Sequence, residues 1–412
     1  MTEGQRVSVL KSIRKRVLAH HINVGGIDYT QWCSRFDDRS PALLSVGVAA
    51  FEDGVRELLA ELKTSHTAFY HSVPDGLPPQ LTIGATLRRA RGNGCEGWMF
   101  LDVYDGGPAD LAGIKPGEVV IEIGGSDCSS DVLPTFTLGR AVSLSVFNSG
   151  LVQTRKVEIS IPARRGTKLR PPIVEPRSPI YSRLADGIGL VKLPYFPGVF
   201  GMRFAQDVDR AIRELKQDGC SRLILDLRGS IGGSLGFARV ASYMCASQEP
   251  IGHSITPRLL RTNYERGALP RVVMPRSRGE LFRALARFAV RDKAVMLLTQ
   301  GLGPQPFHGR IVVLINEWTN SAAEMLTSFA GERGRAVVVG QATRGNVLGA
   351  SNFRVGGGYW LRLPVFGWNT PEGRSLEGVG VAPDVSVDVA PEALLAGSDN
   401  QCTRATEIAS GL

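Results

Sequence analysis

Cysteine is scarce in this 412-residue sequence and follows no pattern. The six thiols, Cys33, Cys95, Cys128, Cys220, Cys245 and Cys402, include no CxxC spacing, which argues against a metal cluster or a disulfide framework. No metal and no other cofactor is expected, and reduced thiols suit a cytoplasmic protein. Long apolar runs are missing as well. None approaches the ~20 residues of a membrane span, so no membrane partner is expected. The opening residues, MTEGQRVSVLKSIRKRVLAHH, mix charges throughout and raise no expectation of a secretory signal. There is no aromatic-basic RNA motif and no DNA-binding module, so nucleic acid is not an expected partner. The net charge of +9 is mostly arginine, with a local excess from Arg258 to Arg291 that suits an acidic partner. Histidine is rare. Of six, only His66 has a hydroxyl-rich setting, Thr64-Ser65-His66-Thr67, while His20, His21, His71, His253 and His308 have nothing comparable around them.

What is present centres on IVVLINEWTNSAAEML, residues 311 to 326. Ile311 to Asn316 is almost wholly apolar and β-branched, the signature of a buried strand. A polar turn follows, Glu317 to Asn320, and Ser321 then opens a run of helix formers. A serine at a helix start has free backbone N–H groups beside it and a dipole that favours developing negative charge. Taken alone, Ser321 reads equally as a helix cap, and His66 taken alone reads as a surface residue.

In chain order, residues 1–78 read as an N-terminal helical region. Phe51, Val55, Leu58, Leu59 and Leu62 recur at helical spacing just before Ser65 and His66. Residues 79–165 form a separate unit of short strands and tight turns. Its run GGPADLAGIKPGEVVIEIGG closely resembles a PDZ domain. That resemblance implies a peptide held by backbone N–H groups in the segment Ile83, Gly84 and Ala85. Residues 166–180 carry four prolines and read as a linker. An α/β pattern runs over 181–390, with a basic excursion at 255–308 as a candidate lid over the site. Residues 391–412 read as a tail without strong pattern.

Three segments, LILDLRGSIGG, VVLINEWTNSAAEM and GRSLEGVGVAPD, stand in this order downstream of the PDZ-like unit. Together they resemble the serine peptidases of the C-terminal-processing and tricorn group. The resemblance implies a multidomain α/β protein: a crotonase- or ClpP-like catalytic domain, an inserted PDZ β-domain and an N-terminal helical region. It implies Ser321 as nucleophile, marked by Glu324. In the C-terminal-processing branch a lysine serves as base, in a GKG pattern about 25 residues on. Here Thr343-Arg344-Gly345-Asn346 stands there, and no lysine follows Lys293. Arg344 cannot deprotonate near neutrality, so a Ser-Lys dyad of that type is excluded. The tricorn branch uses a Ser-His pair before the PDZ domain and a late glutamate, which match Ser65, His66 and Glu377. The implied roles are His66 as general base, Glu377 acting through Ser65 on the imidazolium, and an oxyanion hole from Ala322 with Gly232 or Gly233. Glu372 is a weaker candidate for Glu377's role, and Asp226 and Asp384 read as structural. The expected substrate is a peptide or unfolded protein; homo-oligomerisation is left open. The alternative is a catalytically inactive protein of the same fold that binds peptides or hydrophobic ligands.

Overall fold

The computed structural model describes residues 1–71, 76–92, 95–148, 150–163, 175–198, 200–262, 264–275, 277–290 and 294–412. The chain divides into two compact units that cut across the domain boundaries expected from sequence. One comprises Met1–Pro74, Glu249–Thr299 and Arg344–Gly380, the other Asp75–Gln248, Gln300–Thr343 and Val381–Leu412. The expected contiguous domain at 181–390 is therefore shared between them.

The first unit is a mixed sheet with helices on one face. Its strand order is Ala68–His71, Tyr359–Asn369, Pro250–Ile255, Met296–Leu298, Arg271–Val273, with Gly349–Gly356 also paired to Tyr359–Asn369. Helix Val48–Ala60 buries Phe51, Val55, Leu58 and Leu59, positions spaced to share one helix face. They meet Val9, Ile13 and Val17 of helix Glu3–His20 and the strand residues Phe69, Tyr359, Leu361 and Leu363 in one core. The N-terminal helices thus cover a sheet whose strands come largely from the far end of the sequence. The basic stretch read as a candidate lid, 255–308, supplies two strands to this sheet, Arg271–Val273 and Met296–Leu298, and in these parts it is built into the sheet.

The second unit holds a largely parallel sheet in the order Val385–Ser386, Val337–Gly340, Ile311–Ile315, Arg222–Asp226, Ile188–Lys192, closed by antiparallel Ile180–Arg183. All five residues of Ile311–Ile315 are buried, as a central parallel strand covered on both faces requires. Helix Ala322–Glu332 packs against it and its neighbour Val337–Gly340. Helix Asn400–Gly411 places Ala405 and Ala409 against Ile224, Val312, Leu314 and Val339. The last twenty residues were expected to lack pattern. They form two helices, Pro391–Leu395 and Asn400–Gly411, because small residues there fit closely on the sheet. An antiparallel sheet, Ala85–Gly92, Cys95–Val103, Val119–Ile123, Ala141–Asn148 and Gln153–Ser160, completes this unit around its own core. Most of the expected linker, 166–174, lies outside the described residues.

Candidate active site

The expected site residues fall into two groups, one in each unit. In the first unit, helix Val48–Ala60 unwinds through Lys63 and His66, both with left-handed backbones (φ 47° and 63°). Such conformations are uncommon for residues with a β-carbon and persist where the surroundings impose them. Here the surroundings are hydrogen bonds. The Glu377 carboxylate, 312 positions along the chain, accepts the Ser65 N–H at 2.7 Å through Oε1 and the Val347 N–H at 3.2 Å through Oε2. Ser65 Oγ lies 2.8 Å from His66 Nδ1. Ser65 therefore joins the carboxylate to the imidazole, its N–H facing one and its hydroxyl the other. With Nδ1–H donating to Ser65, the Nε2 lone pair is the one left to take a proton.

Glu377 is held by its own turn. Gly345 (φ 79°) lies against it so closely that a β-carbon there would sit 2.4 Å from the Leu376 carbonyl oxygen, and the Gly378 N–H donates to the Gly345 oxygen at 2.9 Å. Glu372 lies instead on the exposed turn between Thr370 and Arg374. Asn346, standing where a lysine base would be, lines a cavity of about 480 Å³ together with Ser65, Glu377, Lys63, Arg56 and Phe69. Burial first, and then the Arg362 guanidinium, push His66 down from the ordinary 6.5 to about 4, so the ring is neutral at pH 7.

His21 is a residue that sequence reasoning set aside. It is buried, its Nδ1 2.7 Å from the Tyr29 hydroxyl and its Nε2 3.0 Å from Thr64 Oγ1. Thr64 Oγ1 in turn lies 3.0 Å from Thr67 Oγ1, so the turn that carries Ser65 and His66 is latched to the N-terminal helices. Burial lowers His21 to about 4 and raises Tyr29 to about 12, which keeps both neutral. A lone histidine after a helix gives no sign of this in the sequence.

In the second unit, strand Ile311–Ile315 ends at Asn316, the first polar residue of a buried run. Asn316 Oδ1 accepts the N–H groups of Gly229 and Trp318, both at 3.0 Å, and its Nδ2 donates to Asp102 at 3.1 Å. Thr319 Oγ1 donates to the Leu227 oxygen at 2.8 Å. These bonds bind the turn before Ser321 to the turn after strand Arg222–Asp226. Ser321 then takes φ 55° and ψ −117°, the first central position of a type II′ turn, which glycine usually fills. The fully buried Glu324 fixes it there, accepting the Ser321 N–H at 2.9 Å and the Thr343 hydroxyl at 2.7 Å. Ser321 is half-buried at this strand-to-helix corner, in a backbone conformation that costs strain for a residue with a β-carbon.

Beside it, Gly232 and Gly233 have φ of 84° and 136°. A β-carbon on Gly232 would lie 2.7 Å from Ser321 Cβ and 3.1 Å from Ala322 N. Among the described residues, the N–H groups of Ala322, Gly232 and Gly233 meet no acceptor. Asp226 and Asp384 are structural: the first pairs with Arg228 at 2.7 Å and the second accepts the Val338 N–H at 2.8 Å.

The segment expected to hold a peptide carboxylate is built differently. Ile83 and Ala85 are fully buried, and the N–H groups of Ile83 and Gly84 both donate to the Pro79 oxygen, at 2.9 and 3.1 Å. A short helical turn, Pro79–Thr82, has used the donors such a loop would offer. The same sheet unit does reach the serine side: Tyr104 Oη and Gln80 Nε2 donate to the Gly229 oxygen at 2.5 and 2.9 Å, and Thr86 donates to Asp102 at 2.6 Å.

Residues 187–387 match the model of peptidase family S41. The chain is 27% identical over 298 residues to carboxyl-terminal-processing peptidase 3, chloroplastic, of Arabidopsis thaliana, covering 70% of this chain and 50% of that protein. It is 25% identical over 298 residues to the carboxy-terminal processing protease CtpA of Bacillus subtilis, covering 71% and 53%. The chain spans about half the length of the curated relatives it matches. Among solved structures it is similar to the photosystem II D1 C-terminal processing protease, with TM-score 0.55, 19% identity and 95% of both chains covered. It is similar also to mature CPAF complexed with lactacystin, with TM-score 0.58, 13% identity and 99% and 98% covered. At these identities the structural likeness is one of fold.

Proposed function

From the match of residues 187–387 to peptidase family S41, we propose that the chain is a serine peptidase of that family, hydrolysing peptide bonds in peptides or unfolded proteins. The observation that carries this reading is the bonded series Glu377–Ser65–His66, which leaves an imidazole nitrogen free to act as base. Ser321 Oγ attacks the scissile carbonyl as His66 Nε2 takes its proton, and His66 returns that proton to the leaving amine. The acyl group left on Ser321 is released by water activated in the same way. Glu377 steadies the imidazolium through Ser65. The oxyanion is received by the N–H of Ala322 and of Gly232 or Gly233.

The parallel-sheet core is read as crotonase- or ClpP-like, and the antiparallel unit as PDZ-like. The role proposed for the PDZ-like unit is to position the substrate and the turn at Gly229, since Asp102, Tyr104 and Gln80 hold that turn and Asn316. Free thiols at Cys33, Cys128, Cys220, Cys245 and Cys402 suit a reducing cytoplasm, the compartment proposed.

A fluorophosphonate probe tests the assignment. Labelling of Ser321 in the wild type, lost in Ser321→Ala and in His66→Ala, is the expected result. No labelling anywhere between about pH 5 and 9, a range in which His66, held down to about 4, is largely neutral, would favour a ligand-binding protein that retains the fold without the chemistry.

A further inference from the structure

Strand Tyr359–Asn369 alternates between two faces. Tyr359, Leu361 and Leu363 enter the core beneath the N-terminal helices, so Trp360 and Arg362 stand on the opposite face. Across the sheet, Arg362 is flanked by Ala68 on one side and Asn352 on the other, and Trp360 by Tyr70 and Arg354. The Arg354 guanidinium lies over the Trp360 ring, 5.1 Å from its centroid. Ala68, paired across from Arg362, follows His66 by two residues.

Arg362 is half-buried, yet among the described residues it makes no ion pair and no hydrogen bond. Charged groups removed from water are ordinarily paired, because desolvation is costly without a counter-charge. Two other half-buried arginines are paired in this way, Arg88 with Glu317 and Arg239 with Asp209, while Arg6 and Arg222 are each met by a backbone carbonyl, of Leu44 and Asp186. A guanidinium left without a counter-ion beside the base is a place for an anion supplied by the ligand, and its planar fork suits a carboxylate.

Resting on the peptidase reading above, we propose that Arg362 is a specificity-determining residue that docks a carboxylate of the substrate beside His66. The carboxylate is an Asp or Glu side chain near the scissile bond or the α-carboxylate at the substrate's C-terminus. Docking there also has a consequence for the base. Arg362 is one of the two causes that hold His66 down, and a bound carboxylate neutralises it, so an acidic substrate strengthens the base that attacks it.

Cleavage of a mixed peptide library tests this. Wild type is expected to favour peptides carrying Asp or Glu close to the cut. In Arg362→Gln the acidic-to-neutral rate ratio falls by about 10- to 100-fold, the size of a lost charged hydrogen-bond pair, and Arg362→Lys restores part of it. The same library with amidated C-termini separates the sources: an acidic-to-neutral preference lost in Arg362→Gln assigns the side chain, a free-to-amidated preference lost there assigns the α-carboxylate. Both ratios unchanged in Arg362→Gln overturn the inference while leaving the peptidase reading intact. Absence of all cleavage by the wild type counts against the peptidase reading, and a binding measurement then decides the inference alone. In an NMR titration at about pH 7, where carboxylates stay ionised, N-acetylglutamate is expected to shift the Arg362 Nε–H and His66 ring resonances of the wild type saturably and to leave the His66 ring of Arg362→Gln unmoved. Unmoved wild-type resonances overturn the inference.

Discussion

At the scale of single residues, strain and burial single out the candidate chemistry. Lys63, His66, Val152, Asp186 and Ser321 are the non-glycine residues with left-handed φ among those described, and two of the five are the proposed base and nucleophile. Gly232 shows the complementary case, where no side chain fits. Gly232→Ala is expected to add about 1–3 kcal/mol of local strain and push the turn off Ser321. Turnover then falls by about 100- to 1000-fold, as for a lost oxyanion donor, while circular dichroism is unchanged. The two low histidines make a pH prediction. His21 and His66 titrate at about 4 when folded, against an ordinary 6.5. The unfolded chain therefore binds more protons in that window, and their contribution to stability is complete above about 6.5 and lost as pH falls through about 4. Melting temperature should fall over this range, less steeply in His66→Gln. For neutral substrates the acid limb of kcat/KM should lie near 4, and a limb near 6.5 would count against His66, in this setting, as the base.

At the scale of elements, the turn 64–67 depends on a latch made elsewhere. Thr64→Val removes the partner of His21 Nε2 and of Thr67. A buried nitrogen left unpaired costs about 1–3 kcal/mol. The expected outcome is a lower melting temperature and slower fluorophosphonate labelling of Ser321, with Thr64→Ser close to wild type. Equal labelling rates in all three would mean that the latch is structural only. The helices were largely legible from spacing: Phe51, Val55 and Leu58 announce one, and Ala322 to Leu326 another. The latch was not, because hydrogen bonds between His21 and Thr64 leave no period in a sequence. The excursion at 255–308 was misread for a related reason. Its two strands are only three residues long, too short for alternation to register against the surrounding arginines.

At the scale of the whole molecule, distant segments are tied by buried charge. Arg228, just past strand Arg222–Asp226, pairs with Asp226 and with Asp399 at the start of the last helix, each at 2.7 Å. Asp226→Ala leaves a buried guanidinium with one partly exposed partner. It is expected to lower the unfolding free energy in urea by about 3–5 kcal/mol, and Asp399→Ala, at the more exposed site, by less. The same tie explains why the final residues are ordered helix, although no strong pattern there announced it.

The sequence by itself determined the buried strand before Ser321, the turn residues around it, the glycine pair after the strand at 222–227, and the exclusion of a lysine base after Lys293. These follow from local chemistry: β-branched runs, backbone freedom and the presence or absence of a residue type. Only the tertiary structure decided that Glu377 bonds Ser65, that His21 braces the turn at Ser65 and His66, that the Ile83 and Gly84 donors are taken by Pro79, and that Arg362 stands without a counter-ion among the described residues. Each of these is a meeting, or a failure to meet, between residues far apart in the chain, set by which strands pair and in what register.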